Sequence, residues 1–285
     1  MDYYFFHIPN KDTYPPFKNG LYLEEYYLQH SRVELKRKYI PLLWTNFQID
    51  SSFRQHRAIM QSQFDEWIQQ NPSDNGYYTI VQYDDGPQLK LPDNTIVFGA
   101  CTGNIPIPLI YEDTKHTLMN YPKKSFVEKN ILCSFVGCFT STIRNQMFQH
   151  LKDNEHFKII ESSGWTPNVA KVNQDKFIET TIDSKFALAP RGYGRSSFRF
   201  FECFLLGTIP VYIWDDIEWL PFKHIIDYNR LCISVNIADI GQIEERILAV
   251  DEQKYNDMWS YYEEIKHLFT LEGMSREINN IVNHL

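Results

Sequence analysis

Short apolar runs bounded by turn-forming residues alternate along this chain with longer segments in which apolar positions return every three or four residues. The short runs fit buried strands and the longer segments fit amphipathic helices. Their alternation predicts an α/β protein with parallel sheets covered on both faces. In the first half the pattern predicts strands at residues 4–8, 39–44, 77–83 and 95–98, with helices over 21–37 and 57–69. The stretch "YPKKSFVEKN" at 121–130 is polar, contains a proline and has no clear period, which places a domain boundary there. Beyond it, strands are predicted at 131–136, 157–160, 186–189, 209–213 and 231–235, and helices at 143–152, 196–206 and 240–250. The helical tail from 253 onward ends in a segment, 266–285, expected to cross back onto the first half. The expected division is therefore 1–125, 126–265 and 266–285.

A length of 285 residues suits two modest α/β domains. The formal charge of −8 argues against general binding to nucleic acid or to a membrane surface, since both need a broad basic field. Any anionic ligand must instead be met by a local cluster. Five cysteines, with no CxxC pair, read as reduced thiols. The start "MDYYFFHIPNKD" lacks the order of a signal peptide, and no apolar run reaches the roughly 18 residues of a membrane span, so a cytoplasmic, soluble chain is expected. The histidines lack zinc-site spacing, and neither GxSxG nor GxxxxGK[ST] occurs, which leaves hydrolase and phosphotransferase readings little support.

One local cluster stands out in "PRGYGRSSFRFFECFLLGTIPV", residues 190–211. As a helix, 196–206 is apolar around most of its circumference. The exception is a stripe of Arg195, Arg199 and Glu202 at i, i+4, i+7. Charges on such a helix must be paired with each other or with a ligand, because an unpaired buried charge costs several kcal/mol. Lys185, Arg191, Arg195 and Arg199 come without an intervening acid, Gly192 and Gly194 shape a turn, and Ser196 or Ser197 can cap the helix start. A strand, glycine turn and capped helix of this kind attract phosphate. The plainer alternative is an ordinary turn with an Arg199–Glu202 helix pair. A second element, "ILCSFVGCFTSTIRNQMF", has a strand ending at Gly137, a hydroxyl-rich loop and then Arg144. Arg144 reads equally as an anion ligand or as a solvated first-turn arginine. Ligands of open α/β sheets collect at such carboxyl ends.

These stretches, together with "FALAPRGYGRSSFRFFECFLLGTIPVYIWDD" and "WLPFKHIIDYNRLCISVNIADI", resemble the exostosin family, glycosyltransferase family 47, over roughly residues 131–250. The chain looks most like short members from microbes and large DNA viruses, including chlorovirus-type xylosyltransferases. The resemblance implies a GT-B fold of two Rossmann-like domains facing across a cleft. It implies inverting transfer of a sugar, xylose as best guess, from a UDP-sugar donor to a glycan hydroxyl acceptor, in the setting of glycoprotein N-glycan synthesis. By the same resemblance, Arg144 and Arg191 neutralise the diphosphate, the loop of Gly192, Tyr193, Gly194, Arg195, Ser196 and Ser197 cradles it, Glu202 holds the ribose, and Tyr193 stacks on the uracil. Asp84 and Asp85 in "VQYDDGP" are the candidate general base, with Asp12 and Glu112 as rivals and plain turn chemistry as the alternative. No cofactor is expected. Arginines supply the positive charge, and Asp215 and Asp216 are expected to cap a strand end rather than hold a metal. A catalytically inactive nucleotide-sugar or glycan binder is the alternative function.

Overall fold

The computed structural model describes residues 14–31, 33–50, 53–162 and 164–285. The strand expected at 4–8 and the rival base Asp12 lie outside them. The chain forms two compact units, each built on its own parallel sheet. The first comprises Gly20–Glu112 with Leu268–Leu285, and the second comprises residues 14–19 with Asp113–His267.

The first unit runs α1 (Leu23–His30), β1 (Lys38–Tyr39), α2 (Trp44–Ile49), α3 (Phe53–Gln70), β2 (Tyr77–Val81), β3 (Thr95–Gly99) and β4 (Ile105–Pro106), with the strands in that order in the sheet. All five positions of β2 are buried, as expected of a parallel strand covered on both faces. The core gathers Ile40, Trp44 and Phe47 against Phe64 of α3 and Val81 of β2. The strand expected over 39–44 stops early. Ile40 still donates to the Tyr78 carbonyl at 2.8 Å, but Pro41 has no N–H to continue the ladder, and Trp44 opens α2 instead. The helix expected over 21–37 ends at His30, where the Ser31 N–H closes onto Tyr27.

The second unit contains β5 (Ile131–Gly137), α4 (Thr142–Leu151), β6 (Phe157–Glu161), α5 (Lys171–Ile182), β7 (Ser184–Pro190), α6 (Phe198–Leu205), β8 (Ile209–Trp214), α7 (Tyr228–Leu231), β9 (Ile233–Asn236), α8 (Ile243–Leu248) and α9 (Glu252–Ile265). The last helix, α10 (Leu271–His284), belongs to the first unit, where Asn279 accepts a hydrogen bond from Tyr27 of α1. The apolar pattern does not signal α5, because its buried residues crowd into its last turns, from Phe177 to Ile182, and leave no period over its start. The β9 strand begins two residues later than expected because Leu231 closes α7.

The five strands of the second unit are ordered β6-β5-β7-β8-β9, all parallel. In this doubly wound order the chain leaves β5 in one direction to β6, then returns past it to β7. In open sheets of this order the binding crevice lies at that reversal, here over the carboxyl ends of β5 and β7.

One buried acid in the first unit makes its stability depend on pH. Glu24 accepts hydrogen bonds from the Thr45 N–H (2.8 Å), the Thr45 hydroxyl (2.7 Å) and the Gln82 N–H (2.7 Å), tying α1 to α2 and to the end of β2. Its burial pushes the carboxyl up from 4.5 to about 7. Because the folded value is the higher, this contribution is fully present below pH 4.5 and is lost as pH rises through 7. Chemical denaturation of the wild type is expected to show a decline on the order of 2–3 kcal/mol over that window, and Glu24→Gln is expected to flatten it. An unchanged slope in the variant would contradict the assignment.

Candidate functional site

The crevice at the β5–β7 reversal is floored by a phenyl ring and crossed by two arginines. Phe135 of β5 lies beneath the guanidinium of Arg199 at 4.5 Å and that of Arg144 at 5.8 Å. Arg199, the second residue of α6, also passes 5.5 Å from the Phe177 ring and donates to the Val136 carbonyl at 2.6 Å. Arg144, from the first turn of α4, donates to the Arg191 carbonyl (3.2 Å) and the Cys138 carbonyl (3.3 Å). Burial and the neighbouring Arg199 charge push the Arg144 guanidinium down to about 10, and burial lowers Arg199 as well.

Arg199 is under-satisfied. Its Nε and Nη1 are shielded from water and have no hydrogen-bond partner among the described residues. The Ser141 hydroxyl, at the N-cap of α4, is in the same condition and makes no bond to its own helix. Each buried donor left unmet costs about 1–3 kcal/mol, more when charged. Two desolvated cations thus share one ring, with donors of Arg199 unspent among the described residues, an arrangement whose charge suits an anion.

The loop residues singled out in the sequence divide into two groups. Arg191 donates from Nη1 to Asp215 (2.7 Å) and Asp216 (3.1 Å), and from Nη2 to the Tyr193 carbonyl (2.8 Å). Arg195 binds Asp216 at 2.7 Å and lies 5.6 Å from the Trp219 ring. The hydrogen bond from Arg195 holds the Asp216 carboxyl far below the usual range. The stripe of Arg195, Arg199 and Glu202 expected on one helix does not form, because α6 begins at Phe198 and leaves Arg195 in the preceding loop. Arg191 and Arg195 thus fasten the 190–197 loop to the end of β8, while Arg144 and Arg199 occupy the crevice. Glu202 is buried on α6, close enough to Arg199 and to Tyr14 for its charge to act on both. Ser197 is the helix N-cap, Ser196 precedes it half-buried, and Tyr193 is exposed.

Neither Gly192 nor Gly194 adopts a left-handed backbone. A Cβ on Gly192 would stand 3.7 Å from Arg144 Nη2, an ordinary contact. The glycine that matters most is Gly137 at the end of β5. A Cβ there would come within 2.8 Å of Arg199 Nη2 and 3.1 Å of the Phe135 ring. Sequence reasoning also missed Tyr14, whose ring meets Trp165 and Phe198 edge to face beside this site. It lies so far from the cluster along the chain that no spacing could have revealed it.

In the first unit, Asp84 and Asp85 sit at the end of β2 in a turn closed by a hydrogen bond from the Gly86 N–H to Tyr83 at 3.0 Å, with Gly86 at φ +70°. Asp84 accepts from the Cys101 thiol at 3.2 Å, and Asp85 is exposed. Buried Gln48 clamps the turn, donating to the Gly86 carbonyl (2.9 Å) and accepting from the Gln88 N–H (2.6 Å). Glu112 is occupied in accepting the Leu21 N–H at 2.9 Å.

The family model described as the exostosin GT47 domain matches residues 99–250, more than half of the chain. That span holds every element of the crevice except Tyr14, and it leaves out Asp84 and Asp85. The Exostosin-1 homolog of Caenorhabditis elegans is 29% identical over 108 residues, 38% of this chain and 28% of that protein. The chain thus covers less than a third of that relative's length.

Gly137→Ala is expected to displace the Arg199 guanidinium while leaving the sheet intact. Calorimetric titration with inorganic pyrophosphate should then show about a tenfold weaker affinity than wild type, roughly 1.4 kcal/mol. Unaltered affinity would contradict the geometry.

Proposed function

The chain belongs to the exostosin GT47 family, and on that premise we propose that it transfers a sugar from a UDP-sugar to a glycan hydroxyl with inversion at the anomeric carbon. The observation that carries this reading is the pair Arg144 and Arg199, desolvated together at the carboxyl ends of β5 and β7 with donors of Arg199 unspent. A diphosphate would supply the missing acceptors. Departure of a nucleoside diphosphate leaves negative charge on its oxygens, and fixed cations aimed at that charge usually contribute more to such catalysis than any other single effect. Arg191 and Arg195 serve the reaction indirectly in this proposal, since their bonds to Asp215 and Asp216 hold the loop in place. Glu202, three residues beyond Arg199 on α6, takes the ribose hydroxyls. With arginines in this role the transfer needs no metal ion. The GT-B class, xylose as the sugar and glycoprotein N-glycan synthesis as the setting belong to the same proposal.

The acceptor hydroxyl must lose a proton as it attacks, and a positioned base contributes about 10²–10⁴-fold. Asp84 and Asp85 are proposed for that task. Asp85 is the stronger choice because its side chain is exposed on a turn that Gln48 keeps rigid. Arg199→Ala and Arg144→Ala should each weaken UDP binding at least tenfold and reduce donor turnover, followed as release of UDP, by about two orders of magnitude. Asp85→Asn should lower turnover by a similar factor and leave UDP affinity unchanged. If both Asp84→Asn and Asp85→Asn retain normal turnover, the base lies elsewhere. If wild-type protein binds UDP yet never releases it from any UDP-sugar, the chain is a binder and not an enzyme.

A further inference from the structure

Trp165, in the loop after β6, exposes 60% of its surface. A lone exposed apolar residue is ordinary. This one is held in place. Its indole N–H lies near enough to the Tyr14 hydroxyl to act on it, and the two rings meet edge to face at 5.5 Å and 61°. Tyr14 in turn meets Phe198 at 6.2 Å and 77°, and Phe198 directly precedes Arg199.

Tyr14 reaches this position on a short segment, residues 14–19, that packs onto the second unit. Buried Phe17 fastens the segment by stacking on Phe177 at 6.2 Å and 27°. Phe177 is also one of the two rings beside the Arg199 guanidinium. Rings carried by one short segment therefore touch both a ring beside Arg199 and an indole whose surface is largely left to solvent. The neighbouring Gly164 has open space on the side where a Cβ would stand. Tyr14 lies within the electrostatic reach of Glu202, Arg144 and Arg199. A cation pair, a carboxylate suited to a sugar diol and an exposed aromatic face are thus gathered around Tyr14. These are the three kinds of group that take the phosphate, ribose and base of a nucleotide.

We propose that Trp165 is the stacking platform for the base of a nucleoside diphosphate whose phosphates lie on Arg144 and Arg199, and that Tyr14 is the residue that orients it. This rests on the reading of the crevice as a diphosphate site, and it assigns the base to Trp165 rather than to Tyr193. Every base has a π-face, so stacking supplies affinity with little selection among bases. Trp165 therefore separates nucleotides from bare phosphates.

The test compares UDP with inorganic pyrophosphate by calorimetry on the full chain. Trp165→Ala should weaken UDP about tenfold or more while leaving pyrophosphate unchanged. Tyr14→Phe should lose part of the same increment, again with pyrophosphate unaffected, and Tyr193→Ala should behave as wild type. The proposal is overturned if Trp165→Ala binds UDP normally, or if Tyr193→Ala carries the loss instead. It is also overturned if Trp165→Ala weakens UDP-sugars but not UDP, which would seat a pyranose on the indole. Wild-type protein that binds pyrophosphate but takes UDP no more tightly would refute the platform and leave the anion site standing. If neither compound binds, the diphosphate reading itself falls, and this inference with it.

Discussion

The candidate site depends on one constraint: a guanidinium that is shielded from water yet is not fully met among the described residues. Arg199 reaches the crevice because α6 starts at Phe198, directly after the loop that leaves β7. It stays there because Phe135 and Phe177 offer ring faces and Val136 offers one carbonyl. Gly137 leaves the space for it. What the described surroundings withhold is an acceptor for Nε and Nη1. Keeping such donors unmet lowers stability by an amount that a structural arginine would have no reason to forgo. Arg144 beside it raises that cost by repulsion between like charges.

The rest of the second unit serves to hold this arrangement. Parallel β5 and β7 set the starts of α4 and α6 side by side, and the acids after β8 draw Arg191 and Arg195 away from the crevice. The loop is thereby fixed by four charges that largely neutralise one another. The two arginines that remain carry the net positive charge of the site within a protein of formal charge −8. In the proposed function a local cluster, and not a basic surface, would meet the anion.

Much of the scaffold was legible in the sequence because parallel strands buried on both faces are near-continuous apolar runs. That holds for β2, β5, β7 and β8. The failures have local causes: Pro41 halts β1, and α5 buries only its last turns. Within the site, the types and approximate places of the basic residues were readable, whereas their partners were not. Helical spacing grouped Arg195 with Arg199, but a helix start two residues later than expected sent one to Asp216 and the other to Phe135. Tyr14 and Trp165 could not be found by pattern, because each gains meaning only through a ring contact across the fold.

The most direct test is a crystal structure of the protein with UDP bound. The account predicts diphosphate oxygens within about 3 Å of Arg199 Nε and Nη1, completing the bonds they lack. A diphosphate held by Arg191 and Arg195, with their links to Asp215 and Asp216 broken and Arg199 Nε and Nη1 still unmet, would contradict it.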